Sequence, residues 1–218
     1  MSGAAGPQRL PEHVTTVLFD MDGVLIDTRV AVHGAYTDWA DRNGLDPAEV
    51  LAIIHGRRTV EVAAHFGIDG DVEAEADGIE RAIAAKATAD HAIVPACDLY
   101  RSLDPDRVAV ATSARRDTAA TNLRVLGLDP PRVLVTGQDV ASGKPAPDPY
   151  LLAAERIGAD PSECVVIEDA PAGVRAGKAA GAHVVAVTTT HEAEDLTEAD
   201  QAIDPGRLGQ VFASLIGP

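Results

Sequence analysis

Aromatic side chains make up only 3% of these 218 residues, so the core must be aliphatic, built from Ala, Val, Leu and Ile. Cysteine is scarcer still. Cys97 and Cys164 are too few for a disulfide scaffold or a zinc site, and Cys164 leads into the apolar run Val165–Ile167, the setting of a buried thiol. No stretch reaches the roughly 18 to 20 uninterrupted apolar residues of a membrane span, and Met1–Pro11 lacks an apolar signal segment; both point to a cytoplasmic protein. Positive charge is also short: a formal net charge of −16 disfavours nucleic acid and anionic membrane as partners. An anionic substrate would therefore need local attraction from a bound cation or a few convergent basic groups. Only three lysines are available, Lys86, Lys144 and Lys178.

What is present is an ordinary globular mix, 46% hydrophobic and 24% charged, which excludes wholesale disorder. Five short aliphatic runs, 14–20, 107–113, 132–137, 164–169 and 182–188, are each closed by a polar or Gly-rich turn. From the second onward, helical patterns at 116–127, 147–158 and 171–180 separate them, so the fold class is α/β with a parallel sheet covered on both faces. Between Asp20 and Arg107 lie 86 residues, far more than one crossover needs. Helical patterns at 30–43, 47–54, 59–66 and 71–90 fill them, which predicts an all-helical domain at 28–94 inserted into a core of 1–27 and 95–218. The first dozen residues read as a loose tail.

In such a sheet the functional groups belong just past the carboxyl ends of the strands. Strand one ends in Asp20-Met21-Asp22-Gly23, two carboxylates that can share one site or can simply form a turn. Strand two ends in Thr112-Ser113, a phosphate cradle or a helix cap. Lys144 stands in a loop stiffened by Pro145, Pro147 and Pro149, held near one position or merely solvated. Strand four ends in Glu168-Asp169, ligands for a hard cation or, for Asp169, an N-cap. Taken together these groups make a kit for magnesium-assisted phosphoryl transfer through an aspartyl phosphate.

The order and spacing of 20–28 (DMDGVLIDT), 108–113 (VAVATS), 142–151 (SGKPAPDPYL) and 165–173 (VVIEDAPAG) resemble the haloacid-dehalogenase-like phosphatase superfamily, in the subclass whose helical cap is inserted after the first motif. That resemblance implies a Rossmann-like core. It also implies Asp20 as nucleophile and Asp22 as acid and base. Mg2+ would be held by Asp20, the Asp22 backbone carbonyl and Asp169, with Glu168 ligating directly or through water. The phosphoryl group would be held by Thr112, the Ser113 N–H and Lys144. An acid at Asp22 favours phosphate esters over the superfamily's dehalogenases and phosphonate-cleaving members. The cap segment His55-Gly56-Arg57-Arg58-Thr59 is similar to that of glycerol-3-phosphate, hexose-phosphate and hexitol-phosphate phosphatases. It implies a small phosphorylated sugar or polyol as substrate, read by His55, Arg57, Arg58 and Thr59, and the protein is expected to be a monomer or weak dimer. A solvated interhelical loop is the plain alternative for these side chains. The rival within the superfamily is a β-phosphoglucomutase-like mutase. Such enzymes carry a cap histidine twelve residues after the nucleophile, where this chain has Val32; His33, one residue on, is rotated about 100° around a helix.

Overall fold

The computed structural model describes residues 9–54, 56–67 and 70–216. Six parallel strands, β1 (Thr16–Phe19), β2 (Val108–Ala111), β3 (Val133–Val135), β4 (Cys164–Glu168), β5 (His183–Val187) and β6 (Gln201–Ile203), form one sheet in the order β3-β2-β1-β4-β5-β6. The first five are those expected from sequence, each trimmed at both ends except β4, which starts at Cys164 as expected and loses only Asp169. The sixth was not expected, because Gln201-Ala202-Ile203 has no apolar run and is a strand only through its pairing with Val185–Val187.

Both faces of the sheet are buried, and the side-chain alternation assigns them. Phe19, Val165 and Ile167 point into one core with Leu99 of α5 (Val94–Ser102) and Leu123 of α6 (Arg116–Val125). Leu18, Cys164 and Val166 point into the other, with Tyr150 and Ala153 of α7 (Asp148–Ile157) and Val174 and Ala176 of α8 (Pro171–Ala179). Both cysteines are free and buried. Leu10 is 6% exposed in the first core, so the expected tail is anchored there, while Arg9 and Glu12 on either side are exposed.

The long segment between β1 and β2 holds α1 (Arg29–Asn43), α2 (Pro47–Leu51), α3 (Thr59–His65) and α4 (Val72–Ala84). Local chemistry sets their ends: Gly44 is left-handed after α1, Asp46 caps Pro47-led α2, and Asp71 caps α4. Their apolar stripes form a third core of Tyr36, Trp39, Val50, Val62, Ile79 and Ile83. The helical pattern expected over 71–90 stops at Ala84, and α5 adds a helix where only the return to the core was expected. Among the described residues no helix is long and apolar enough to cross a membrane.

Candidate active site

The strand order reverses direction between β1 and β4, and a crevice opens there at their carboxyl ends. Asp20 follows β1, its N–H bonding to Ile167 O at 2.9 Å, so the sheet itself aims the side chain. Glu168 is the last residue of β4 and Asp169 the next, while Thr112 follows β2 with its N–H on Val135 O at 2.9 Å. These ends and Lys144 converge as expected.

Lys144 Nζ lies 2.6 Å from Asp20 Oδ1 and 2.7 Å from Glu168 Oε1, and its side chain is 1% exposed. It sits 5.0 Å from the centroid of the Tyr150 ring, and Tyr150 donates its hydroxyl to Glu168 Oε1 at 2.8 Å. The solvated-loop alternative for Lys144 is thereby excluded. Glu168 Oε2 accepts the N–H groups of Asp169 (2.8 Å) and Ala170 (3.1 Å). Asp169 does not cap α8; its carboxylate accepts the Thr190 hydroxyl. Asp22 is half-buried, accepting the hydroxyls of Thr28 at 2.9 Å and Thr112 at 3.4 Å. Thr112 Oγ1 also accepts the Ala114 N–H at 3.1 Å, a local turn. Ser113 turns its hydroxyl outward onto Gly56 O at 2.9 Å, and neither residue caps α6.

Gly23 is required twice over. Its φ is +80°, and a Cβ there would collide with the Asp169 carboxylate. Gly173 is required for proximity alone, since its Cβ would strike the Glu168 carboxylate.

The electrostatics are those of crowded acids. Burial pushes Asp20 up to about 8, with Glu168 and Asp22 adding to the rise and Lys144 opposing it. Asp169 is raised well above the usual carboxylate value by burial, then by Glu168 and Asp20. Asp22 is raised too, by burial against the pull of Thr28. Burial would also raise Glu168, but Lys144 and the two amides outweigh it and hold the group below its usual value. Lys144 is lifted well above the lysine norm, Asp20 and Glu168 overcoming burial. One ammonium thus faces more carboxylates than it can neutralise. Asp20, Glu168 and Asp169 each present an oxygen within 4.8 Å of the others, an all-oxygen set that fits a hard divalent cation.

Above this floor the crevice is walled by the α1–α4 segment, through Tyr36, Thr59, Glu80 and Ile83 of its helices and Ile54 and Arg57 of the turn between α2 and α3. Of the four residues expected to read substrate, His55 lies outside the described residues. Arg57 is exposed and lines the crevice. Thr59 lines it as well, although its hydroxyl donates to Glu80 Oε1 at 2.6 Å. Arg58 departs from expectation: its guanidinium turns away and bonds to backbone carbonyls of the β3–α7 loop. Val32 and His33 both face the crevice.

Sequence reasoning overlooked several of these groups. Tyr150 stands six residues after Lys144 inside a recognised motif, and a buried tyrosine with a hydroxyl to satisfy was its signal. Thr28 closes the first motif, and Thr190 stands two residues past the fifth aliphatic run, 182–188, where the strand-end rule itself was the signal. Glu80 gave no signal, being one acid in an acidic helix; only packing buries it, raising its carboxyl by desolvation.

Comparison with known proteins agrees with this geometry. A family model described as haloacid dehalogenase-like hydrolase matches residues 14–181. Hexitol phosphatase A of Escherichia coli (strain K12) is 42% identical over 188 residues, which cover 84% of this chain and 87% of that protein. Glycerol-1-phosphate phosphohydrolase 2 of Saccharomyces cerevisiae is 36% identical over 197 residues, 85% and 79% of the respective chains. Among solved structures, a hydrolase from Pseudomonas syringae superposes with a TM-score of 0.78 at 27% identity, covering 93% of this chain and 100% of that one. A match through all four strand-end motifs and relatives of this identity along most of the chain have one explanation, common descent, and the chain belongs to the haloacid dehalogenase-like hydrolase family.

Proposed function

We propose that this protein is a Mg2+-dependent phosphatase that hydrolyses a small phosphorylated sugar or polyol through a phosphoaspartate on Asp20. Residues 28–94 act as a cap over a catalytic core of 1–27 and 95–218. The observation that carries the reading is the buried Lys144 ammonium between Asp20 and Glu168, with Asp22 on the same crevice floor. A phosphate ester carries about two negative charges, so a carboxylate nucleophile needs cationic neighbours at the phosphorus. Lys144 supplies one. Mg2+, held by Asp20, the Asp22 carbonyl, Asp169 and Glu168, would neutralise the phosphoryl oxygens further and lower the barrier to anionic attack.

An Asp20 carboxylate oxygen attacks phosphorus and the bond to the alcohol oxygen breaks, Asp22 giving that oxygen its proton. The raised affinity of Asp22 for its proton suits this step. Asp22 then takes a proton from water, whose oxygen attacks phosphorus and releases Asp20. Thr28 orients the Asp22 carboxyl for both transfers. Thr112, the Ser113 N–H and Lys144 hold the phosphoryl oxygens. The polyol class is supported by the names of the relatives and by a crevice wall carrying the polar groups of Tyr36, Arg57, Thr59 and Glu80.

The test is phosphate release from a panel of phosphorylated sugars, polyols and aryl alcohols. Turnover should require Mg2+, stop reversibly with chelator, and vanish in Asp20→Asn. Undiminished activity in excess chelator, or steady-state hydrolysis by pure Asp20→Asn, refutes the mechanism. Interconversion of hexose 1- and 6-phosphates without net phosphate release would make the enzyme a mutase instead.

A further inference from the structure

The Arg58 guanidinium has five N–H donors, and the structure uses all of them. Nη1 donates to Val140 O at 2.9 Å and Gly137 O at 3.3 Å, and Nη2 to Ala141 O at 3.0 Å. Nε donates to Glu61 Oε1 at 2.8 Å, and Nη2 makes a second bond to the same oxygen. No donor is left for a substrate hydroxyl. Glu61, one turn further along α3, also accepts the Gly143 N–H at 3.4 Å. The pair therefore grips both ends of the 137–143 loop, and the next residue is Lys144.

The loop is shaped to receive it. A Cβ on Gly143 would lie 2.9 Å from Arg58 Nε and 3.0 Å from its Cγ, so the stem of Arg58 occupies space that only glycine leaves open. Gly143 is not among the glycines with positive φ, so room, not backbone freedom, is what glycine provides.

We propose that Arg58 and Glu61 are positioning residues. When the cap is seated they set the 137–143 loop, and so the Lys144 ammonium, in the place from which it neutralises the phosphoryl group. This rests on the phosphatase reading above and deepens it: Arg58 couples the cap to the phosphate end of the site and does not read the alcohol. A cation of this kind is not replaceable by lysine, whose three donors radiate from one atom and cannot span three carbonyls and a carboxylate.

The full-length Mg2+-loaded enzyme is assayed with glycerol 1-phosphate and with p-nitrophenyl phosphate. Misplacing a catalytic group by about 1 Å costs roughly 10²-fold. Arg58→Ala should therefore lower kcat on both substrates by one common factor of about 10 to 100, with KM nearly unchanged, and Arg58→Lys should not rescue it. Gly143→Ala should reproduce the deficit in the wild-type background yet add less than about twofold to Arg58→Ala, since residues acting through one contact are not additive. Amide hydrogen exchange over 137–143 should accelerate in Arg58→Ala. A loss confined to glycerol 1-phosphate and visible in KM, fully multiplicative effects in the double variant, or unchanged exchange would each overturn the proposal. Should Arg58→Ala fail to fold, Gly143→Ala, which leaves every charge in place, must still show the kcat loss and faster exchange. If the wild type releases phosphate from no ester, the phosphatase reading falls while the exchange measurement still decides the coupling.

Discussion

Replacing Lys144 with Met removes the cation from two buried carboxylates while keeping the length of the side chain. Lys144 lies 2.6 Å from Asp20 and 2.7 Å from Glu168, with both acids under 10% exposed. Burial raises Asp20 while Lys144 and two amides hold Glu168 below its usual value, so Glu168 is the charge left stranded. Breaking a buried pair from one side costs about 3–5 kcal/mol. For a chain of this length, at about 2–4 °C per kcal/mol, the melting temperature should fall by about 6–20 °C. The pH dependence of that deficit follows from its cause. Without the ammonium, burial governs Glu168 and lifts its folded-state pKa above the unfolded value of 4.5. The folded variant then binds a proton more tightly than the unfolded chain, so its deficit is full above the raised folded value and shrinks as pH falls towards 4.5. Thermal unfolding of both proteins by circular dichroism at several pH values, with EDTA present, measures the gap. A variant melting within about 2 °C of the wild type, or a gap that widens on acidification, would refute the reasoning.

Two further perturbations test the site from other sides. Gly173→Ala drives a Cβ into the Glu168 carboxylate, which is fixed by Lys144, Tyr150 and two amides and cannot yield; a loss of about 1–3 kcal/mol in chemical denaturation is expected, and wild-type stability would show that the helix can move away. Arg57→Ala, which removes the exposed cation lining the crevice, should reduce kcat/KM for polyol phosphates by about 1–3 kcal/mol of transition-state binding and spare an aryl phosphate; equal losses on both would remove Arg57 from substrate reading.

The sequence determined the elements whose signals are local. Aliphatic runs such as Cys164–Glu168 marked five strands, and polar residues at or beyond the ends of those runs identified Asp20, Asp22, Thr112, Lys144, Glu168 and Asp169 as one constellation. Strand ends in a parallel sheet must meet at one edge, which is why residues up to 149 positions apart could be grouped from their order alone. Tertiary structure decided whatever depends on a partner remote in sequence. Gln201–Ile203 became a strand only because β5 offered an edge, and Glu80 differs from the other acids of α4 only because packing buries it beside Thr59. Arg58 and Arg57 are neighbours in the chain, yet one faces the crevice and the other is spent on carbonyls about 80 residues away. No periodicity in a single stretch of sequence can encode which of two adjacent arginines meets a loop about 80 residues further along the chain; that follows only when the α1–α4 helices pack against the sheet.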